Sequence, residues 1–172
     1  MIIKFRIIST EIDGFVRDIE ISSDMSFYDL HLAIQAACDY DEGIMAAFYT
    51  SGKEWNRGQE IVLQIMDEEE QKNALLMKNI SISEYIKSKG DRLLYLYDFF
   101  SVRYLFIEVV NLREKTQSDE YIEYPVCTLS EGKPPQQILV DDITDICYED
   151  DVRDEFDDFE DMGFDNIDDY NL

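Results

Sequence analysis

Negative charge and apolar patterning occupy different parts of this sequence, and that division limits what can fold. Residues 141–172 hold 15 Asp and Glu against the single Arg153, a net charge of −14, which leaves −10 on residues 1–140. Like charges at that density repel one another and resist burial. The remainder carries most of the 10 Phe and 11 Tyr of a 172-residue chain, enough apolar area for one core and too little length for two well-packed ones. Just before the boundary stands the only Gly/Pro cluster, Gly132-Lys133-Pro134-Pro135, a loop or linker signal. The expectation is a folded domain over residues 1–140 and an acidic amphipathic tail over 141–172.

Within the first part, Ile3, Phe5 and Ile7 alternate with Lys4 and Arg6, and Ile19 and Ile21 share one parity beyond Asp13-Gly14; period-two alternation around Asp-Gly predicts a hairpin. A helix follows, with Ser26 as its cap, Asp29 three residues on, and Phe27, Leu30, Ile34 and Cys38 on one face. Strands are expected over residues 45–49 and 60–66, with an acidic surface loop over 67–73. A short helix is expected around residues 82–87, closed by Gly90. Residues 93–97 and 103–110 are aromatic and β-branched and predict adjacent strands. An edge strand is expected over 121–128, because Pro125 cannot donate to a ladder. The predicted fold class is α+β: a mostly antiparallel sheet with helices packed on one face.

A formal charge of −24 repels phosphate backbones and anionic membranes, so direct nucleic-acid binding by the whole surface and membrane association are not expected. Charges interrupt the apolar residues of Met1-Ile2-Ile3-Lys4-Phe5-Arg6 at once, and no stretch approaches the roughly 20 apolar residues that span a bilayer. A cytoplasmic location is the expectation. Cys38, Cys127 and Cys147 are odd in number, widely spaced and without a CxxC pair, against both a disulfide framework and a structural zinc site.

Several motifs in order resemble the plasmid pRiA4b ORF-3-like family, also labelled the IS1096 passenger family, over roughly residues 3–140. They are Leu30-His31-Leu32-Ala33-Ile34-Gln35, similar to the family's Leu-His-x-x-Ile-Gln, and Gly90-Asp91-Arg92-Leu93-Leu94-Tyr95-Leu96-Tyr97-Asp98-Phe99, which leads into its Tyr-Asp-Phe-Gly-Asp signature. The Ile82-Ser83-Glu84-Tyr85-Ile86 segment and the Pro125 to Pro135 region with Cys127 also sit where the family has comparable features. Phe100-Ser101 replaces the expected Gly-Asp, and Asp39-Tyr40-Asp41 stands where many members carry a Trp and a second His, which makes this a divergent member. What the resemblance implies is a fold, and, through the family's names, an association with plasmids or mobile elements; a genomic neighbourhood is not a mechanism.

Candidate binding residues are His31, Trp55, Tyr97, Asp98 and Arg103. His31 is the only histidine, so any imidazole chemistry must use it; the alternative is a helix histidine at the core's edge making one hydrogen bond. No GxSxG elbow accompanies it, and no GxxxxGK[ST] or GxGxxG loop exists to cradle phosphate, so no catalytic residue and no cofactor is assigned. Asp98, at a strand end, either serves a site or accepts backbone N–H groups in the following turn. Trp55 in its polar loop is either a lid on the sheet or a contact residue.

In the tail, Ile143, Ile146, Val152, Phe156, Phe159 and Met162 can line one helix face. Three readings compete: a disordered solubilising segment, a segment docked on its own body, or a ligand for a basic protein partner. The nearest approach to an EF-hand loop starts at Asp158 but has Met162 in its fifth position, so no calcium or other metal site is expected.

Three functions are weighed. The first is a non-enzymatic binding or interaction module with an unidentified protein partner. The second is a regulator of plasmid or mobile-element DNA processes, which needs Lys4, Arg6, Lys53, Arg57, Arg92 or Arg103 to cluster. The third is a carboxylate-based metal-dependent enzyme, which needs an inward carboxylate cluster.

Overall fold

The computed structural model describes residues 1–66 and 73–139. Contacts divide the chain into one compact unit, Met1–Gln137, and a second, Ile138–Leu172. The acidic tail with its three readings, the calcium near-miss and Cys147 all lie outside the described residues, as does nearly all of the loop expected over 67–73.

The opening alternation folds as β1 (Ile2–Ile8) and β2 (Val16–Ser22), antiparallel with Phe5 opposite Ile19, and Gly14 takes φ 78° in the connection. Helix α1 (Phe27–Cys38) starts where its capping signal stands: Ser26 Oγ accepts the Asp29 N–H at 3.2 Å and Asp29 Oδ2 accepts the Ser26 N–H at 2.8 Å. Then come β3 (Ala47–Ser51), β4 (Arg57–Val62), β5 (Leu75–Leu76), α2 (Ile82–Tyr85), β6 (Arg92–Asp98), β7 (Arg103–Arg113) and β8 (Val126–Glu131). They join in one sheet of order β5-β4-β3-β6-β7-β1-β2-β8, in which β4–β5 is the parallel pair among the described residues.

This corrects the α+β expectation of an antiparallel sheet under a helical layer. The fold is mostly strand, a single eight-stranded mixed sheet with little helix. The second helical signal yields one turn only: α2 stops at Tyr85 because Ile86 is already extended, at φ −102° and ψ 115°. One three-turn helix and one single turn do not make a layer.

Three strands differ from expectation for local reasons. Pro125 offers no N–H, so the edge strand begins after it, pairing Val126 with Glu20; residues Gln117–Tyr121 form a 3-10 turn instead. Strand β4 lies earlier than residues 60–66 because Arg57 and Glu60 pair with Ser51 and Tyr49, across a register shift, while residues 57–60 stay exposed, which apolar patterning cannot register. The two residues of β5 carry no pattern long enough to read.

Strand β6 sits centrally and is buried on both faces, which is why it reads as a continuous apolar run. Leu93, Tyr95 and Tyr97 join the main core with Phe27, Leu30 and Ile34 of α1. Leu94 and Leu96 face the other way, into a smaller cluster with Ala47, Tyr49 and the half-buried Trp55, Tyr104 and Phe106. No helix among the described residues is long and apolar enough to cross a membrane.

Candidate ligand cleft at His31

The buried face of α1 contains two polar residues, His31 and Gln35, spaced i, i+4 and so one above the other. Both meet Tyr95 of β6. Gln35 Nε2 donates to Tyr95 Oη at 2.8 Å, and His31 Nδ1 lies 2.9 Å from the same oxygen. With the amide in that orientation the phenol's own proton goes to Nδ1, which places the imidazole proton on Nε2. Burial pushes the imidazole pKa down to about 4, so the ring is neutral at pH 7.

His31 is 1% exposed, yet its ring forms part of the wall of a cleft of about 500 Å³. Among the described residues Nε2 has no hydrogen-bond partner, and it does not belong to the fully enclosed unpaired atoms. With Gln35 Nε2 donating to Tyr95, the His31 Nε2 is an oriented N–H donor at the cleft wall.

Apolar walls come from Tyr28 and Leu32 of α1, Leu63 and Ile65 after β4, and Leu76 of β5. The Tyr28 N–H donates to Met77 O at 3.1 Å, tying the end of β5 to the first turn of α1. That tie places Lys78 beside Tyr28, with Nζ 4.7 Å from the ring centroid. Glu42 stands beyond the Asp39 C-cap, at the other end of a 12-residue helix about 18 Å long. The cleft thus has a cationic end, an acidic end and an apolar floor, a size and lining suited to a small organic ligand.

The other predicted site residues lie elsewhere. Tyr97, Asp98 and Arg103 come together at the far end of β6. The Arg103 guanidinium donates to Glu11 at 2.7 Å, to Asp98 Oδ2 at 3.3 Å and to Gln136 O at 2.8 Å, and lies 4.9 Å from the Tyr97 ring centroid. Asp98 Oδ1 accepts the N–H groups of Phe100 and Ser101, the turn role open to it from the sequence. Trp55 folds onto the sheet's second face, edge-on to Phe106 at 5.1 Å, with the Arg92 guanidinium 4.6 Å from its ring.

Of the six basic residues named for a DNA-binding face, four are matched locally by carboxylates. Lys4 pairs with Glu20, Arg6 with Asp18, Arg92 with Glu108 and Arg103 with Glu11, at 2.7–3.0 Å. Among the described residues no three His, Cys, Asp or Glu side chains gather in a way that could hold a metal ion. The Cys38 thiol, pushed up to about 12 by burial, is held protonated and unreactive.

Sequence reasoning missed Tyr95, Gln35, Tyr28 and Lys78. The i, i+4 spacing of His31 and Gln35 was a usable signal, because it puts two polar groups on a face that must be buried. Nothing local marks Lys78, which a tertiary hydrogen bond brings into place.

No curated protein matches the chain. Among solved structures it is similar to a protein of unknown function, MM3350 from Methanosarcina mazei Go1. That likeness has a TM-score of 0.60 and 21% identity over 75% of this chain and 68% of that one, which shows the fold alone. Residues 3–150, by contrast, match the family described as Plasmid pRiA4b ORF-3-like protein, the motifs at His31 and on β6 falling within the matched span, and the chain belongs to that family.

Proposed function

We propose that this chain is a non-enzymatic binding module whose ligand site is the His31 cleft. One observation carries the reading: a buried imidazole, held through Nδ1 by Tyr95 and Gln35, whose other ring nitrogen has no partner among the described residues and lines a cleft of about 500 Å³. Orienting a lone donor in this way fits recognition, because a hydrogen bond made in a partly dry site discriminates strongly between ligands that can and cannot accept it. It does not fit hydrolysis. The described lining offers no Ser, Thr or Cys for His31 to activate, and an imidazole held near 4 is a poor general base at pH 7. Trp55 on the second sheet face and the Tyr97, Asp98 and Arg103 cluster then hold structure, while His31 serves the site.

The test is a methyl and amide NMR titration of the full chain with three matched probes: 4-phenylbutyrate, 4-phenylbutanamide and 4-phenylbutylamine. At least one should shift signals of Tyr28, Leu32, Leu63 and Leu76 saturably, with smaller changes near Arg103 and Trp55. If none of the three moves those signals at millimolar concentration, the cleft is not a ligand site. Nitrogen shifts of the His31 ring should also report a neutral Nε2–H tautomer; a proton found on Nδ1 removes the donor on which the reading depends.

A further inference from the structure

Resting on the cleft reading, we infer that the ligand is an organic monoanion, a carboxylate on an apolar body, held with its charged group between His31 and Lys78. Both side chains flank one ring: the His31 ring centroid is 5.9 Å from that of Tyr28, and Lys78 Nζ is 4.7 Å from the same centroid. A neutral imidazole and an ammonium therefore both stand beside the Tyr28 ring in the lining of one cleft.

Two donors, one of them charged, match the two oxygens of a carboxylate: one oxygen accepts from Nε2 and the other meets the ammonium. The charge count limits the ligand. His31 adds no positive charge at neutral pH, so Lys78 alone balances the ligand, enough for one negative charge and too little for a phosphate monoester. Lys78 is free for this role, because among the described residues it makes no ion pair and only its contact with the Tyr28 ring fixes it. Glu42 at the opposite end repels a second negative charge, which excludes dicarboxylates long enough to reach it. Between the two ends Leu32, Leu63 and Leu76 offer apolar surface for the body of the ligand.

The three probes above share one apolar body and differ only in the head group, so affinity measured with each separates shape from charge. The expected order is 4-phenylbutyrate tightest, 4-phenylbutanamide at least fivefold weaker, and 4-phenylbutylamine weakest. Lys78 is exposed, so Lys78→Met should fold normally; it should weaken 4-phenylbutyrate at least fivefold, leave the amide within twofold, and thereby erase the preference. If the amide or the amine binds as well as the acid, or if Lys78→Met leaves the preference intact, the anion assignment is wrong while the cleft remains a ligand site. If no probe binds in the cleft, the binding reading fails and this inference falls with it.

Discussion

Tyr95 and Tyr97 stand two residues apart on β6 and point into the same core, but their hydroxyls end differently. The Tyr95 oxygen is shared by Gln35 and His31, and the resulting chain leads outward to an open N–H at the cleft. Around Tyr97 the charges turn inward: Arg103 is bound by Glu11, Asp98 and the Gln136 carbonyl, while the Tyr97 hydroxyl is buried without a partner among the described residues. The lesson is that richness in polar groups does not mark a site. A set of groups that satisfy one another is a structural clamp, whereas a set that leaves one oriented donor facing a cavity can recognise a ligand.

The largest expected effect tests the clamp. Asp98 is 5% exposed, so Arg103→Met leaves a buried carboxylate short of its counter-charge, at a cost of about 3 kcal/mol. Chemical denaturation should show the loss, and Arg103→Met with Asp98→Asn should recover a large part of it, since the double change removes both charges. Binding of 4-phenylbutyrate should stay within twofold. A loss below 1 kcal/mol, or an affinity change as large as that of Lys78→Met, would erase the contrast between the two ends of the strand.

Next in size is a pH effect from the other end. The folded imidazole is held at about 4 while an unfolded histidine titrates near its ordinary 6.5, so between those values the unfolded chain binds a proton that the folded chain does not. Stability from His31 is therefore complete above pH 6.5 and is lost as pH falls toward 4, by about 3 kcal/mol across the window. Carboxylates also begin to titrate near the lower limit, so the quantity to measure is the difference in stability between the native chain and His31→Gln. That difference should narrow from pH 6.5 to pH 4. A pH-independent difference would mean that His31 is not held neutral and that the chain through Tyr95 does not operate.

Much of this arrangement is legible in the amino-acid sequence. The hairpin of β1 and β2, the start of α1 and the pairing of β6 with β7 each carry a strong local signal: alternation, a capping box, or a run of β-branched and aromatic side chains. The fold-class expectation fails in part at residues 82–87, where the helix read from its closing Gly90 supports only one turn before Ile86 extends. Short pairing segments such as β5 depend on tertiary hydrogen bonds, as when the Met77 N–H meets Val62 O, and no local pattern encodes them. For the site, His31 was singled out because it is unique, but the sequence offered no way to separate the open end of β6 from the closed one. Tyr97, Asp98 and Arg103 look as functional as His31 when only their chemistry is known. The difference lies in what each group touches.

The smallest expected effect distinguishes the two phenols directly. Tyr95→Phe removes the hydroxyl that serves Gln35 and His31 together, leaving two buried polar groups without their partner, and should cost about 2 kcal/mol. It also frees the imidazole to change tautomer, so the His31 nitrogen shifts should move and 4-phenylbutyrate should bind more weakly. Tyr97→Phe is the same chemical change on the same strand and face, yet it deletes a buried hydroxyl with no partner among the described residues and should stabilise the protein by about 1 kcal/mol. Stacking of Tyr40 on the ring, at 5.5 Å between centroids, and the nearby Arg103 guanidinium are both kept by phenylalanine. The two melting curves should therefore move in opposite directions from the native one. If Tyr97→Phe destabilises as much as Tyr95→Phe, the Tyr97 hydroxyl is satisfied in solution, and the contrast between the two phenols is lost.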